Sequence, residues 1–146
     1  MSARASFHFV DDVTSDLTFE AHGESLSELF AAAAEALLAA TVERPETVRD
    51  VVEHRLELSD ERLDWLLRGF LNELVYLRDA EQLLLRARDV QVSGDDEIHL
   101  SAVLVGERFD SARHLPANEV KAVTAYRLSV ERDSAGLWRA RVTLDV

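Results

Sequence analysis

The chain has 146 residues, enough for one domain with its own hydrophobic core, and it is strongly acidic. Its formal net charge of -12 opposes the phosphate backbone of nucleic acids, which argues against direct binding to RNA. No apolar stretch reaches the roughly 18–20 residues that cross a bilayer, so no membrane association is expected. The chain has no cysteine, which excludes disulfides and thiolate metal sites. An N-terminus without an apolar secretory core favours a cytoplasmic protein.

The negative net charge also indicates what kind of partner the chain would bind. A protein of this charge that acts on RNA is expected to do so through a basic protein, because acidic surfaces attract basic ones. The alternative is that the charge only keeps the chain soluble, and composition alone favours that alternative.

The N-terminal segments predict two strands followed by a helix. Apolar and polar residues alternate over Ser6–Val10 and Leu17–Ala21, with the polar loop Asp11–Asp16 between them. Ser25 and Glu28 have the spacing of a capping box, so a helix is expected to begin just after Ser25.

The middle of the chain predicts one strand and a second helix. The strand is expected within Val48–Leu58, and the helix is expected to open at Ser59-Asp60 and run to about Leu77. Gly69, inside this helix, either admits a close neighbour or has no structural role. Asn72-Glu73 either belongs to the solvated face, which is the favoured interpretation, or fixes the helix to a sheet by hydrogen bonds.

The remaining segments complete the predicted fold. They are strands at Leu83–Val92 and Ile98–Val105 joined by the turn Ser93–Asp96, a loop over Arg108–Glu119, and a hairpin of Thr124–Val130 with Trp138–Val146. Two main helices against a mostly antiparallel sheet predict an α+β fold in a single domain, residues 1–146.

The end of the chain carries the first candidate site. Alternation continues to the last residue, so an ordered strand presents the Asp145 side chain and the carboxylate of Val146 together. Such anionic groups repel each other unless a cation or several donors lie between them, and carboxylates are ligands that calcium and magnesium prefer. Asp16 is a third ligand if the first and last strands are neighbours. The alternative, which spacing alone favours, makes Asp16 a turn residue and Asp145 a solvated strand end.

The second candidate site is Lys121 with Glu107 and His114. Lys121 has apolar neighbours, and a lysine is rarely buried without a partner, so Glu107 or the acids at the chain end could pair with it. The alternative is that Lys121 extends to solvent along its own aliphatic stem.

Several of these segments, in this order, resemble the archease family. They are Thr14-Ser15-Asp16 ahead of Gly23 and Leu29-Phe30, then Leu66-Leu67, Phe70–Leu77, Gly106-Glu107, His114, Val120–Thr124 and the terminal Asp145-Val146. The chain departs from the family pattern at Val13, where a histidine is usual, and at Ala125-Tyr126, where Tyr-His is common.

The resemblance implies both a site and a partner. It implies that Asp16, Asp145 and the Val146 carboxylate bind a divalent metal, typically calcium, and that Lys121 belongs to the functional surface. Archeases are protein cofactors of an RtcB-type RNA ligase, whose GMP intermediate they promote in tRNA splicing and RNA repair. The chain is then expected to be a non-catalytic activator that meets RNA only indirectly, while GTP and manganese belong to the ligase.

Two other functions stay open. One is a chaperone or specificity factor for a tRNA methyltransferase, a role also proposed for archeases, and the other is a stand-alone metal-dependent hydrolase. The departures at Val13 and Ala125 are also compatible with a diverged member that no longer activates a ligase. The sequence predicts neither the oligomeric state nor the identity of the metal.

Overall fold

The computed structural model describes residues 5–10 and 16–146, which form eight strands and three helices. The strands are β1 (Ser6–Val10), β2 (Leu17–Gly23), β3 (Val52–Asp60), β4 (Leu83–Ser93), β5 (Ile98–Arg108), β6 (Ala122–Val123), β7 (Ser129–Arg132) and β8 (Trp138–Asp145). The helices are α1 (Leu26–Thr41), α2 (Leu63–Glu81) and the single turn α3 (Ser111–His114), with a 3₁₀ helix at Pro45–Thr47.

The strands pair antiparallel in two sheets, which confirms the predicted α+β fold. One sheet has the order β1-β2-β8-β6, with β7 also paired to β8, and the other has the order β3-β5-β4. The last strand, β8, therefore lies between β2 and the β6–β7 segment. Strand β2, which follows Asp16, is the hydrogen-bonded neighbour of β8, whereas β1 pairs only with β2. The three-carboxylate hypothesis requires that β2 and β8 lie together.

The two long helices connect the two sheets. Helix α1 packs against β2 and β4, and α2 packs against β3, β4 and β6. Consecutive alanines of α1, Ala32 to Ala34, are all buried, so this helix is enclosed on more than one face. Phe30 and Phe70 join the helices, with ring centroids 5.8 Å apart. None of the helices in the described part of the chain is long and apolar enough to cross a membrane.

The N-terminal predictions agree closely with the structure. Strand β1 has the predicted bounds, and β2 extends two residues beyond its predicted end. Ser25 caps α1, and its hydroxyl accepts a hydrogen bond from the Glu28 N–H at 3.1 Å. The Glu28 carboxylate in turn accepts a hydrogen bond at 2.9 Å from the N–H of Glu24, the residue before the N-cap. The two hydrogen bonds of a capping box are therefore present, with the second one shifted by one residue.

The predicted start of the second helix is wrong. Ser59 and Asp60 are the last residues of β3, and Asp60 lies opposite Ile98 in β5. Helix α2 begins at Leu63, after an N-cap residue, Arg62, that has no side-chain capping bond. The polar pair looks like a cap in sequence, but the ladder to β5 continues through it.

Two C-terminal expectations also need correction. The segment expected to be a loop contains the short helix α3, whose first turn the Asp110 carboxylate caps by accepting from the Ala112 N–H at 3.1 Å. The strand expected over Thr124–Val130 is divided into β6 and β7. A turn separates them, closed by a hydrogen bond from Leu128 N–H to the Ala125 carbonyl and containing Arg127 at a positive φ of 50°.

Two glycines differ in what surrounds them. A Cβ at Gly69 would meet nothing within 4 Å, so this residue does not admit a close neighbour. A Cβ at Gly106 would lie 1.7 Å from the Leu84 carbonyl oxygen, so the approach of β4 to β5 requires glycine there.

Candidate functional site at the strand ends

The strand register places the predicted site residues at one end of the first sheet. Leu17 lies opposite Leu144, so Asp16 and Asp145 flank the same cross-strand pair. On the other side of β8, Lys121 donates its backbone N–H to the Asp145 carbonyl at 2.8 Å. We call Asp16, Lys121, Asp145 and Val146 the strand-end group.

The Val146 side chain packs against the hydrophobic core, whereas the three charged side chains of this group have no polar partner among the described residues. Lys121 is exposed, and Asp16 and Asp145 are half-buried. Within residues 5–10 and 16–146, none of these three side chains makes a hydrogen bond or an ion pair. No described residue competes for their charges, which suits them to binding a ligand or a partner.

Three side chains of α2 hold the backbone that carries Lys121. The Asn72 amide donates to the Val123 carbonyl at 3.2 Å and accepts from the Val123 N–H at 3.0 Å. Arg68 donates to the same carbonyl at 3.0 Å, and Arg78 donates to the carbonyl of Val120. We call Arg68, Asn72 and Arg78 the helix clamp.

The clamp explains why β6 needs only two residues. The Asn72 amide has one donor and one acceptor side, so it supplies Val123 with the two bonds that a neighbouring strand would make. The solvated face favoured for Asn72 in sequence is therefore wrong, and the alternative of helix-to-sheet hydrogen bonds is correct. Its spacing of four from Arg68, which places both on one helix face, is the signal that could have identified it.

Glu107 lies in a separate, closed arrangement at the end of β5. It is buried, and its carboxylate accepts from the Arg49 backbone N–H at 2.7 Å and from the guanidinium of Arg113. The Nε2 of the fully buried His114 lies 3.1 Å from the same carboxylate. We call Glu107, Arg113 and His114 the Glu107 cluster. Its carboxylate is paired with Arg113 and not with Lys121, so of the possible partners of Lys121 the structure rules out Glu107.

The protonation of the cluster follows from its hydrogen bonds. The Asp110 N–H donates to His114 Nδ1 at 2.8 Å, so Nδ1 is an acceptor and Nε2 carries the proton that it donates to Glu107. The Arg113 guanidinium, helped by the Arg49 and His114 donors, outweighs burial and lowers the pKa of Glu107 to about 2. The same contact raises the pKa of Arg113 above its usual value.

The cluster joins α3 to the body of the domain. Arg113 also donates to the Thr47 carbonyl in the 3₁₀ helix, and the Arg44 N–H donates to the His114 carbonyl at 3.0 Å. Since its donors and acceptors are matched internally, the cluster orders the segment that leads to Lys121. Arg113 directly precedes the candidate residue His114, but an arginine in a segment expected to be a loop is not itself a signal, which is why the sequence did not single it out.

Comparison with known proteins places the chain in a family. Residues 7–146 match the Archease protein family (MTH1598/TM1083). The chain belongs to the archease family. It is 35% identical to protein archease of Pyrococcus furiosus over 134 residues, covering 91% of this chain and 94% of that protein. It is also 35% identical to protein archease of Methanothermobacter thermautotrophicus over 136 residues, covering 92% and 95%.

Solved structures share the archease fold. The solution structure of Methanobacterium thermoautotrophicum protein 1598 superposes with a TM-score of 0.82 at 34% identity, covering 96% of this chain and 98% of that one. The crystal structure of a Thermotoga maritima archease, named there a possible chaperone, gives a TM-score of 0.62 at 20% identity. It covers 95% of this chain and 98% of that one, and it shows likeness of fold alone.

The departures from the archease pattern fall in different places. Val13 lies outside the described residues, as do Asp11 and Asp12. Ala125 and Tyr126 lie in the turn between β6 and β7, where Tyr126 is exposed and Arg127 stacks 5.4 Å from its ring centroid. The second departure therefore changes an exposed turn and not the strand-end group.

The donor chemistry of the strand-end group suits a hard cation. Within residues 5–10 and 16–146 there is no set of three or more His, Cys, Asp or Glu side chains arranged to hold a metal. The predicted set has only two such side chains, Asp16 and Asp145, and its third group is the main-chain carboxylate of Val146. All three supply the oxygen ligands that calcium prefers, so the residues present fit the predicted metal by chemistry.

Proposed function

We propose that this archease is a non-catalytic protein cofactor of an RtcB-type, GTP-dependent RNA ligase in tRNA splicing or RNA repair. It promotes transfer of GMP onto the ligase and repeated turnover. The observation that carries the proposal is the strand-end group, in which two carboxylates and a lysine lie at one end of a sheet without side-chain partners among the described residues. An archease that acted alone would need catalytic groups, and the Glu107 cluster is engaged in holding the fold.

In this proposal the carboxylates of Asp16, Asp145 and Val146 hold a divalent cation, with calcium as the preferred one. When bound, the cation supplies concentrated positive charge that relieves repulsion among the carboxylates. Lys121, held in place by the helix clamp, presents a second positive charge beside them. GTP and manganese belong to the ligase.

The charge of the chain supports indirect action on RNA. At -12 the archease is repelled by RNA phosphates and attracted to basic protein surfaces. The ligase therefore binds the RNA, and the archease binds the ligase.

The test is GMP transfer onto the cognate ligase in the presence of the native archease and three variants. The variants are Asp145→Asn, Lys121→Gln and a chain extended by several residues past Val146. Asp95→Asn, in the exposed β4–β5 turn, is the matched control because it makes the same chemical change away from the strand ends. We expect acceleration by the native protein and the control, and at least a tenfold loss with the three variants.

Acceleration by every variant would contradict a role for the strand-end group. No acceleration by the native protein would contradict ligase activation. The second candidate is then a chaperone or specificity factor for a tRNA methyltransferase. Stimulation of that enzyme would be measured next.

A further inference from the structure

A cleft of about 490 Å³ lies at the C-terminal ends of α1 and α2, apart from the strand-end carboxylates. It opens between these helix ends and the segment that follows β5. Its lining residues are Thr41, Arg78, Asp79, Gln82, Leu84, Phe109, Pro116, Ala117, Asn118 and Glu119. The cleft thus combines an apolar floor, from Leu84 and Phe109, with a polar rim.

The rim consists mainly of hydrogen-bond acceptors and negative charge. The exposed Glu119 carboxylate has no side-chain partner within the described ranges. Asn118 donates its amide N–H to the Ala40 carbonyl at 2.9 Å, which leaves its side-chain oxygen as an acceptor. The carbonyl ends of α1 and α2 add the negative poles of their helix dipoles, and the last turn of α1 contains no basic residue.

The cation on the rim does not reverse this balance. Arg78 is only 17% exposed, and its guanidinium is already bound to the Asp79 carboxylate and to the Val120 carbonyl. Its charge is therefore matched locally. An anionic ligand such as a nucleotide would be repelled here, and a cationic donor would be attracted.

An arginine side chain is the cation that best complements these groups. Its planar guanidinium offers five N–H donors to the acceptors of the rim, and it stacks on aromatic rings such as that of Phe109. Its aliphatic stem suits the apolar floor. A lysine ammonium is more strongly hydrated, so burial beside Leu84 and Phe109 is less favourable for it.

The cleft borders the strand-end group. Glu119 is two residues from Lys121, which limits the distance between their Cα atoms to about 7 Å. Arg78 connects the two sites directly, since it binds Asp79 on the cleft rim and the carbonyl of Val120, the neighbour of Lys121. A partner that contacts Lys121 therefore passes beside the cleft.

We propose that this cleft is a docking site for an arginine-bearing, partly apolar segment of the protein partner. The inference rests on the proposed function in that the partner is taken to be the RNA ligase. The segment's guanidinium lies against Glu119 and Asn118, and its apolar neighbours cover Phe109. Docking here anchors the partner while the strand-end group acts beside it.

The test compares Glu119→Arg with the matched control Glu97→Arg. Both positions are exposed acids without a side-chain partner in the described part of the chain, so neither change should unfold the domain. Glu97 lies in the β4–β5 turn, at the end of the hairpin opposite Leu84 and Phe109, and it receives the same charge change. Binding of the cognate ligase is measured by calorimetry, and we expect Glu119→Arg to weaken it at least tenfold and Glu97→Arg to change it by less than about threefold.

Equal affinity of the two variants would overturn the cleft proposal and leave ligase activation standing. A second measurement is independent of the ligase: amide chemical shifts of the native archease during titration with arginine amide, lysine amide and glutamine amide. Saturable shifts at Phe109, Asn118 and Glu119, largest with arginine amide, support the cleft even if the native protein binds no ligase. Shifts scattered over the surface, or equal for the three compounds, would overturn it.

Discussion

The Glu107 cluster and the strand-end group both contain carboxylates and a basic side chain, but they differ in whether the described residues provide these charges with partners. In the Glu107 cluster the buried carboxylate meets a guanidinium, an imidazole N–H and a backbone N–H. In the strand-end group, the described contacts include no side-chain partner for Asp16, Lys121 or Asp145. Charges matched inside the domain stabilise it, and charges left unmatched at one end are free to bind something else.

The comparison also separates what each group does to the free energy of unfolding. The lowered pKa of Glu107 means that the folded state stabilises the ionised carboxylate, and the hydrogen bond from the Arg113 guanidinium is the main cause. No described residue forms an ion pair with the side chain of Asp16 or Asp145. Substitutions at the two sites should therefore have different consequences.

The largest expected effect is that of Glu107→Ala on stability. This change leaves the fully buried His114 N–H and the Arg49 N–H without an acceptor and removes the ion pair of Arg113, so we expect a loss of about 3 kcal/mol in unfolding free energy. Urea denaturation measures it. Asp145→Ala is the comparison and should change the unfolding free energy by less than about 0.5 kcal/mol. Equal losses would break the distinction between the two groups.

The pH dependence of stability should reveal the contribution of the Glu107 carboxylate. Because the pKa of Glu107 is lowered from 4.5 to about 2 in the folded state, its contribution is complete above pH 4.5. It is lost as the pH falls from about 4.5 to about 2. We expect denaturation midpoints of the native chain to fall more steeply in this window than those of Glu107→Gln. Parallel curves would show that the ion pair does not contribute.

The helix clamp gives the next effect. Asn72→Ala leaves the Val123 N–H without an acceptor and removes one of the hydrogen bonds to the Val123 carbonyl. We therefore expect the free energy of unfolding to fall by about 1–2 kcal/mol. It should also speed hydrogen exchange at the Val123 amide. Glu73→Ala is the matched control, because Glu73 has no hydrogen bond or ion pair in the described part of the chain. Unchanged exchange at Val123 would mean that β6 is held by β8 alone.

The smallest effect is a gain of stability at Gly69. A Cβ there meets nothing within 4 Å, so Gly69→Ala should stabilise α2 by up to about 1 kcal/mol through helix propensity. A rise in the thermal midpoint checks this, with no change in ligase activation. A loss of stability would reveal a close neighbour that the structure does not contain.

Local features of the sequence predict local structure well. The alternation of Ser6–Val10 and of the last strand, and the Ser25–Glu28 box, act over a few residues and are confirmed. The placement of Asp16 beside Asp145 was conditional on strand order, which depends on packing across the whole chain. The second strand β2, not the first strand β1, is the neighbour of β8, and this pairing places Asp16 beside Asp145, while metal binding there stays a prediction.

Sequence reasoning missed two kinds of contact. Some join residues that are distant in the chain, and others involve residues whose local sequence fits a different structure equally well. Asn72 bonds to Val123, 51 positions away, and apart from its spacing of four from Arg68 its sequence surroundings are those of a solvated polar residue. Ser59-Asp60 has the composition of a helix cap, but tertiary pairing with β5 extends the strand through it. The sequence offers Glu107 as one of several possible partners of Lys121, whereas a local turn brings Arg113 to Glu107.

Calcium titration by calorimetry tests most directly whether the unmatched charges form a site. The native chain, Asp145→Asn and the turn control Asp95→Asn are titrated under the same conditions, and each is also denatured by urea. The strand-end proposal predicts that the native chain and the control bind calcium. It predicts at least tenfold weaker binding for Asp145→Asn, with unfolding free energy in the absence of calcium unchanged within about 0.5 kcal/mol. Calcium affinity equal in all three proteins would contradict it.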